Sequence, residues 1–385
     1  MTAIAGREVA LKQEVGTDFH VHWQGGYDFV HGLPVYQPLP GARRFNYPPF
    51  AAQVFQVYGI LPMKLAAWLS YLASVALFYL AIRISRRLIR AAAPAWSPSL
   101  VPLVLAVLCS AVFVLENLVH IQVNLLLLAL CLLGVEALVR GREVAAGGWL
   151  VAAAAIKLTP AFFVLWAMIR GTRRTLVSVF AFAALCLALP VAQRGWHQGM
   201  LDLSAYHQGF LQKFAAGHII TDERNQNLAA MIYRAAVPEP AGYAYLQGLA
   251  GAAPLLYRIL AATILAALLI RLFRLRIGRQ PFSPLEVASV FLASHLLSGI
   301  TWKAHLVSLF FVSYAFFSLE WRRLSQAGRV GLGLAWAGIA AIAPGRDLTG
   351  SRLHHDLAGY SVYVWVMLLL FTLSVGWKPV GSGDQ

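Results

Sequence analysis

The chain has 385 residues, 59% of them hydrophobic and only 12% charged, with a formal net charge of +15. A charged share about half that of ordinary soluble domains excludes a water-soluble globular fold. The basic residues fall in short clusters between apolar runs, with no basic groove lined by stacking aromatics, which excludes nucleic acid as the partner and fits the positive-inside rule of membrane proteins.

Residues 1–15 carry Arg7, Glu8, Lys12 and Glu14 and no apolar core, so no signal peptide is expected there. Residues 18–49 follow, polar and aromatic, broken by Gly and Pro, within a reach of residues 1–60 that reads as a catalytic loop outside the bilayer. A spanning helix needs roughly 20 apolar residues. On that measure 63–83, 97–115, 121–139, 175–192, 252–272, 284–301, 306–320, 328–343 and 357–376 are expected spans, about nine or ten in an all-α polytopic bundle forming a single domain over 1–385. Cys109, Cys131 and Cys186 lie inside these runs without metal-ligand spacing and are expected to be inert thiols.

Basic clusters punctuate the spans: Arg83/Arg86/Arg87/Arg90, Arg140/Arg142, Arg170/Arg173/Arg174, Arg271/Arg274/Arg276/Arg279 and Arg322/Arg323/Arg329, with Lys378 near the end. If all are cytoplasmic, the short loops opposite hold only Lys303, Arg346 and Arg352. Arg142 and Arg170 must then share a side although mostly apolar sequence separates them. Two half-helices meeting near Lys157-Leu158-Thr159-Pro160 satisfy this, because Pro160 interrupts a helix and pushes its predecessor out of the α region. A re-entrant hairpin is therefore expected over 144–169; a plain tenth span is the alternative. The opposite face collects residues 1–60, the turn from Glu116 to Asn124, the long loop 193–251, Thr301–His305 and Pro344–Asp356. Residues 205–234 alternate apolar and polar positions and are expected to form amphipathic helices along the membrane interface.

Several polar residues on that face have the chemistry of a site. Asp18 is placed to act as a general base on a hydroxyl, the competing account being a helix or turn cap. Asp18, His20 and His22 alternate, so in an extended segment they would point one way and could hold a divalent metal. Glu116, Asn117, His120, Gln122 and Asn124 crowd a tight turn between spans, where ionisable groups need a cavity or a partner, though caps for the helix ends explain them equally. Lys157 is the one basic residue inside an apolar run and needs an anion, from the protein or from a ligand phosphate. Asn225, Gln226, Asn227 and Arg224, and Trp302, Lys303 and His305, have side chains suited to sugars or phosphate.

These residues resemble the integral membrane glycosyltransferases of the GT-C class, most closely family 87, which includes polyprenol-phosphate-mannose-dependent mannosyltransferases. The resemblance is carried by Asp18-Phe19-x-x-x-Trp23, Gly32-x-Pro34-x-Tyr36-x-Pro38, Phe45-x-Tyr47-Pro48-Pro49, Asn124-Leu125-Leu126, Ala155-Ile156-Lys157-Leu158-Thr159-Pro160, Asn225-Gln226-Asn227 and Leu297-Ser298-x-x-Thr301-Trp302-x-x-His305. It implies an inverting transfer of a hexose, mannose first, from a polyprenyl-phosphate donor to a lipid or glycan hydroxyl at the non-cytoplasmic face of the cytoplasmic membrane. Asp18 would be the catalytic base. Lys157, Lys303 and His305 would hold the donor phosphate, and His22, Trp23, Tyr47, Glu116, His120, Asn225, Gln226 and Trp302 the sugar or acceptor. No nucleotide fingerprint is present and no cofactor is expected beyond the metal idea at Asp18, His20 and His22. Such enzymes have a spanning helix before the acidic loop, and no apolar run precedes Asp18 here. A polyprenyl-linked O-antigen ligase or polymerase, relying on Arg224 and His218, is the enzymatic alternative, and a lipid flippase or transporter the non-enzymatic one. A flippase would need midplane ionisable residues on several helices.

Overall fold

The computed structural model describes residues 17–38, 44–92, 96–97, 99–237, 243–245 and 251–377. Residues 1–15, Lys378 and part of 193–251, all named above, lie outside the described residues. The described residues are mostly helical, and the chain divides into two compact units, within Met1–Ile82 plus Val114–Ala216 and within Arg83–Phe113 plus Gly217–Gln385.

The first unit holds α1 (Asp18–Val30), α2 (Pro49–Gly59), the start of α3 (Met63–Ala91), the end of α4 (Leu100–Val119), α5 (Asn124–Val139), α6 (Glu143–Ile156), α7 (Ala161–Arg170), α8 (Arg173–Arg194) and α9 (Trp196–Tyr206). Asp18–His22 is thus helical, where an extended segment was expected. The Thr17 hydroxyl accepts from His20 N–H at 3.3 Å and caps α1, as its side chain at an N-terminus favours. In a helix Asp18 and His22 share a face, and His20 leaves it.

α1 crosses α2 at backbone distance, and glycines make this geometry feasible. A Cβ on Gly26 would lie 2.1 Å from the Phe55 carbonyl oxygen, and one on Gly59 would lie 2.2 Å from Tyr27 N. Both obstacles are main chain, so neither side can yield without the helices parting. Gly26→Ala is expected to lower stability by about 1–3 kcal/mol, the usual range for overpacking, read as a lower melting midpoint in detergent together with reduced activity.

Glu143 and Thr172, at the two ends of the α6–α7 pair, meet through a Thr172 hydroxyl to Glu143 carboxylate hydrogen bond, and Ser178 Oγ donates to Val144 O at 2.8 Å. The chain therefore enters along α6, breaks at Lys157–Pro160 and returns along α7, the hairpin that the charge alternation requires. Gly134 and Gly147 permit the tight packing of α6 on α5 and α8, since a Cβ at either would fall 2.4 Å from Leu150 or Ser178.

The second unit holds β1 (His218–Ile220) paired antiparallel with β2 (Tyr243–Tyr245), α10 (Leu228–Ala236), α11 (Ala253–Ile277), α12 (Pro284–Leu296), α13 (Leu309–Phe317), α14 (Gln326–Ile342), α15 (Ser351–Gly359) and α16 (Val362–Gly376). Every residue of α12 is buried, whereas α11 exposes Leu255, Leu256, Ile259, Ile270 and Phe273. Apolar side chains on that outer surface suit lipid. Over 205–234 the chain is helical through Ala215, with a π-turn at His207–Leu211, then forms β1 and α10, whose Leu228–Tyr233 are buried in protein.

Each expected span coincides with helix, but only four described helices, α3, α4, α8 and α11, are long and apolar enough to cross a bilayer alone. The α15–α16 pair, bent by 55°, is apolar and long enough to cross only if its two helices are taken together. The remaining expected spans are shorter: α5 has 16 residues and α12 has 13. At roughly 1.5 Å per residue neither covers a hydrocarbon core of roughly 30 Å. The fold is an all-α polytopic membrane bundle in which long lipid-facing helices accompany short buried ones.

Candidate active site

The first unit gathers polar side chains from α1, the segment before α2, the α4–α5 turn and the hairpin break. Asp18 opens α1, and its Oδ2 accepts from Gln122 Nε2 at 2.6 Å. One helical turn later, buried His22 meets the Tyr47 hydroxyl through Nε2 at 3.0 Å and the Ile121 main chain through a further hydrogen bond. Burial pushes the His22 imidazole down to about 4, against the pull of the Asp18 carboxylate. A neutral ring has one N–H; with that proton directed at the Ile121 carbonyl, Nε2 accepts from Tyr47. Burial likewise pushes the Tyr47 phenol up, so it stays a proton donor.

Lys157 ends α6 in an extended conformation, φ −153° and ψ 135°, just before Pro160, which interrupts the helix. Its Nζ donates to Asn124 Oδ1 at 3.0 Å and stands 5.8 Å from the centre of the Tyr47 ring. Gln122 and Asn124 thus reach both ionisable residues from one turn. That turn is strained: Ile121 has φ +47°, a left-handed conformation rarely adopted by a β-branched residue. Such strain persists only where surrounding contacts impose it, and it clusters at functional sites.

Trp23 donates from Nε1 to Leu61 O at 2.9 Å and stacks on Tyr27 with ring centres 5.2 Å apart. Glu116 and His120 pair with one another at 3.3 Å on the half-exposed side of α4 and its turn. Among the described residues no three His, Cys, Asp or Glu side chains stand together as a ligand set. The metal arrangement at Asp18, His20 and His22 needed an extended backbone, and the helix removes that premise.

At the far end of α1, Arg194 has a side chain only 3% exposed. It donates to Asp202 Oδ2 at 3.1 Å and to the carbonyls of Asp28, Phe29 and Leu33 at 3.3, 3.1 and 2.7 Å. The guanidinium so fastens α1 by its last carbonyls. Burial raises the Asp202 carboxyl, Arg194 opposing, and Gln198 donates to its other oxygen at 3.1 Å.

In the second unit Asn225, Gln226 and Asn227 are buried, and their amides bind main chain. Asn225 donates to Ile220 O at 2.8 Å and accepts from Thr301 N–H at 2.9 Å; Gln226 donates to Ala358 O at 2.9 Å; Asn227 donates to Ser298 O at 2.7 Å and caps α10. Trp302 and His305 are joined through the Trp302 N–H and His305 Nδ1 at 3.2 Å, a cap on the short 3₁₀ turn Lys303–Ser308. Lys303 contacts His354 and lies 5.7 Å from the centre of the Tyr363 ring. Arg224 is bidentate with Asp222, at 2.7 Å to each oxygen; His218 begins β1.

Asp18, His22, Tyr47 and Lys157 are therefore assembled with Gln122 and Asn124, while Lys303, His305, Asn225, Gln226 and Trp302 belong to the other unit. The sequence signal for Gln122 and Asn124 was their polarity beside two apolar spans, which caps explain equally. Arg194 and Asp202 had no such signal.

Over residues 45–299 the chain matches glycosyltransferase family 87. It is 27% identical over 388 residues, 93% of this chain and 84% of the relative, to the polyprenol-phosphate-mannose-dependent alpha-(1-2)-phosphatidylinositol mannoside mannosyltransferase of Mycobacterium tuberculosis (strain ATCC 25618 / H37Rv). No solved structure matches.

Proposed function

Because the chain belongs to glycosyltransferase family 87, we propose that it transfers a mannosyl group from a polyprenyl-phosphate donor to a hydroxyl of a mannosylated lipid acceptor, with Asp18 as general base. The observation that carries this reading is the arrangement at α1 and the hairpin break: a carboxylate held by Gln122 and an ammonium held by Asn124, both on one strained turn. The acceptor oxygen bonds to the anomeric carbon as the bond from that carbon to the phosphate oxygen breaks, inverting the centre. Its proton passes to Asp18, and polyprenyl phosphate leaves with its developing charge beside Lys157. The Tyr47 hydroxyl, its proton given to neutral His22, keeps its oxygen lone pairs to accept from a sugar or acceptor hydroxyl, and His22 orients it. For Lys303 and His305 the proposed contact with phosphate rests on the family resemblance. The distribution of the basic clusters supports a reaction at the non-cytoplasmic face of the cytoplasmic membrane.

Purified protein in liposomes, given labelled polyprenyl-phosphate-mannose and a phosphatidylinositol mannoside, is expected to form a lipid bearing one more labelled mannose. Folded protein that forms none overturns the reading. Lys157→Met is expected to lower the transfer rate about 10²–10³-fold, the usual effect of removing one preorganised charge-stabilising group.

A further inference from the structure

Asn124 is 5% exposed at the start of α5, and its side chain is only half used. Oδ1 accepts from Lys157 Nζ, which fixes the amide's orientation, since the flipped form would set two donors face to face. Nδ2 is then a buried donor with no hydrogen-bond partner among the described residues. Buried donors are nearly always paired, so an unpaired one calls for an explanation.

Stability alone would favour a different residue. Asp at this position has almost the same shape, would meet Lys157 as a charge-assisted pair and would bury no unmatched N–H. The Asn side chain keeps a donor beside a cation instead, and the strained turn at Ile121 holds it there. A donor beside an ammonium suits an anionic oxygen, and the lipid donor brings one in its phosphate.

We propose that Asn124 is a ligand-contact residue, its Nδ2 donating a hydrogen bond to a phosphate oxygen of the lipid donor beside the Lys157 ammonium. The assignment rests on the functional reading above for the identity of the ligand. It adds a second protein contact to the leaving phosphate and gives the α4–α5 turn a binding role as well as a structural one.

Two readouts test it, one of which needs no transfer. In detergent, polyprenyl phosphate without sugar is expected to raise the melting midpoint of the wild type and to leave that of Asn124→Asp nearly unmoved, although the unliganded variant melts no lower than wild type. In the liposome assay Asn124→Asp is expected to raise KM for the donor about 10-fold or more and to leave KM for the acceptor unchanged. Asn124→Ala, which removes donor and acceptor together, is expected to lose the lipid-phosphate shift as well and serves if the Asp variant does not fold. Wild type that is stabilised by polyprenyl phosphate but transfers nothing overturns the transferase reading and leaves this one standing. Active wild type whose Asn124 variants keep the full shift and donor KM overturns this proposal alone. A change confined to acceptor KM, or no shift in any of the proteins, also overturns it.

Discussion

Replacing Asp18 by Asn is expected to abolish transfer, with a loss of about 10²–10⁴-fold for removal of a general base, while the protein inserts and melts as the wild type does. The amide is the same size as the carboxylate and stays within reach of Gln122 Nε2 at 2.6 Å through its own oxygen, so α1 keeps its place. What it lacks is basicity towards the acceptor proton. Asp18→Glu is the informative companion: it keeps the charge but lengthens the side chain by a methylene, and misplacement on the order of 1 Å can lose about 10² in rate. A full-rate Asp18→Asn enzyme would remove the base from the mechanism.

The largest loss of stability is expected from Arg194→Met. The Arg194 and Asp202 side chains are 3% and 5% exposed. Removing the guanidinium leaves a buried carboxylate that still accepts from Gln198 and strips three carbonyls around the end of α1 of their donor. Breaking one side of a buried pair loses about 3–5 kcal/mol, to be read as a large fall in melting midpoint and in membrane abundance. Arg194→Lys should recover little, because one ammonium cannot reach Asp202 and the α1 carbonyls with the planar fork of arginine. In the Arg194→Met/Asp202→Asn double variant the uncompensated charge is gone. Its stability is expected to exceed that of Arg194→Met, and the resulting coupling energy measures the pair.

Arg194 grips α1 near its C-terminal end and Gln122 meets it at Asp18, so both ends of the helix are fixed. Gly26 and Gly59 set its depth against α2. A helix held in this way carries a side chain more precisely than a loop does.

Much of this was legible in the sequence because membrane sequences announce their exceptions. Lys157 stood out as a cation within an apolar run, and the need for Arg142 and Arg170 to share a side required the hairpin that Glu143 and Thr172 close. The helical state of residues 18–22 was hidden: Asp-x-His-x-His imitates the two-residue period of a strand, and the contrary signal was a single capping residue, Thr17. Composition marks more apolar segments than there are described helices long enough to cross alone, because it cannot tell a long lipid-facing helix from a short one buried in protein. α12 is buried along its whole length, Glu286 and His295 included, and its 13 residues are fewer than a helix needs to cross alone. In the sequence a cap and a site explain Gln122 and Asn124 equally; what separates the two readings is contact with Asp18 and Lys157, 104 and 33 residues away in the chain. Nothing in the local sequence marks Arg194 and Asp202 as partners, since Gly195, with φ +77°, turns the chain between their two helices.

The most direct test of the central claim is the anomeric configuration of the newly linked mannose, determined by NMR on product from the wild type with Asp18→Asn run alongside. The expected configuration is opposite to that of the donor's sugar–phosphate bond, with no product from the variant. Retained configuration, or transfer by Asp18→Asn at the wild-type rate, would contradict that claim.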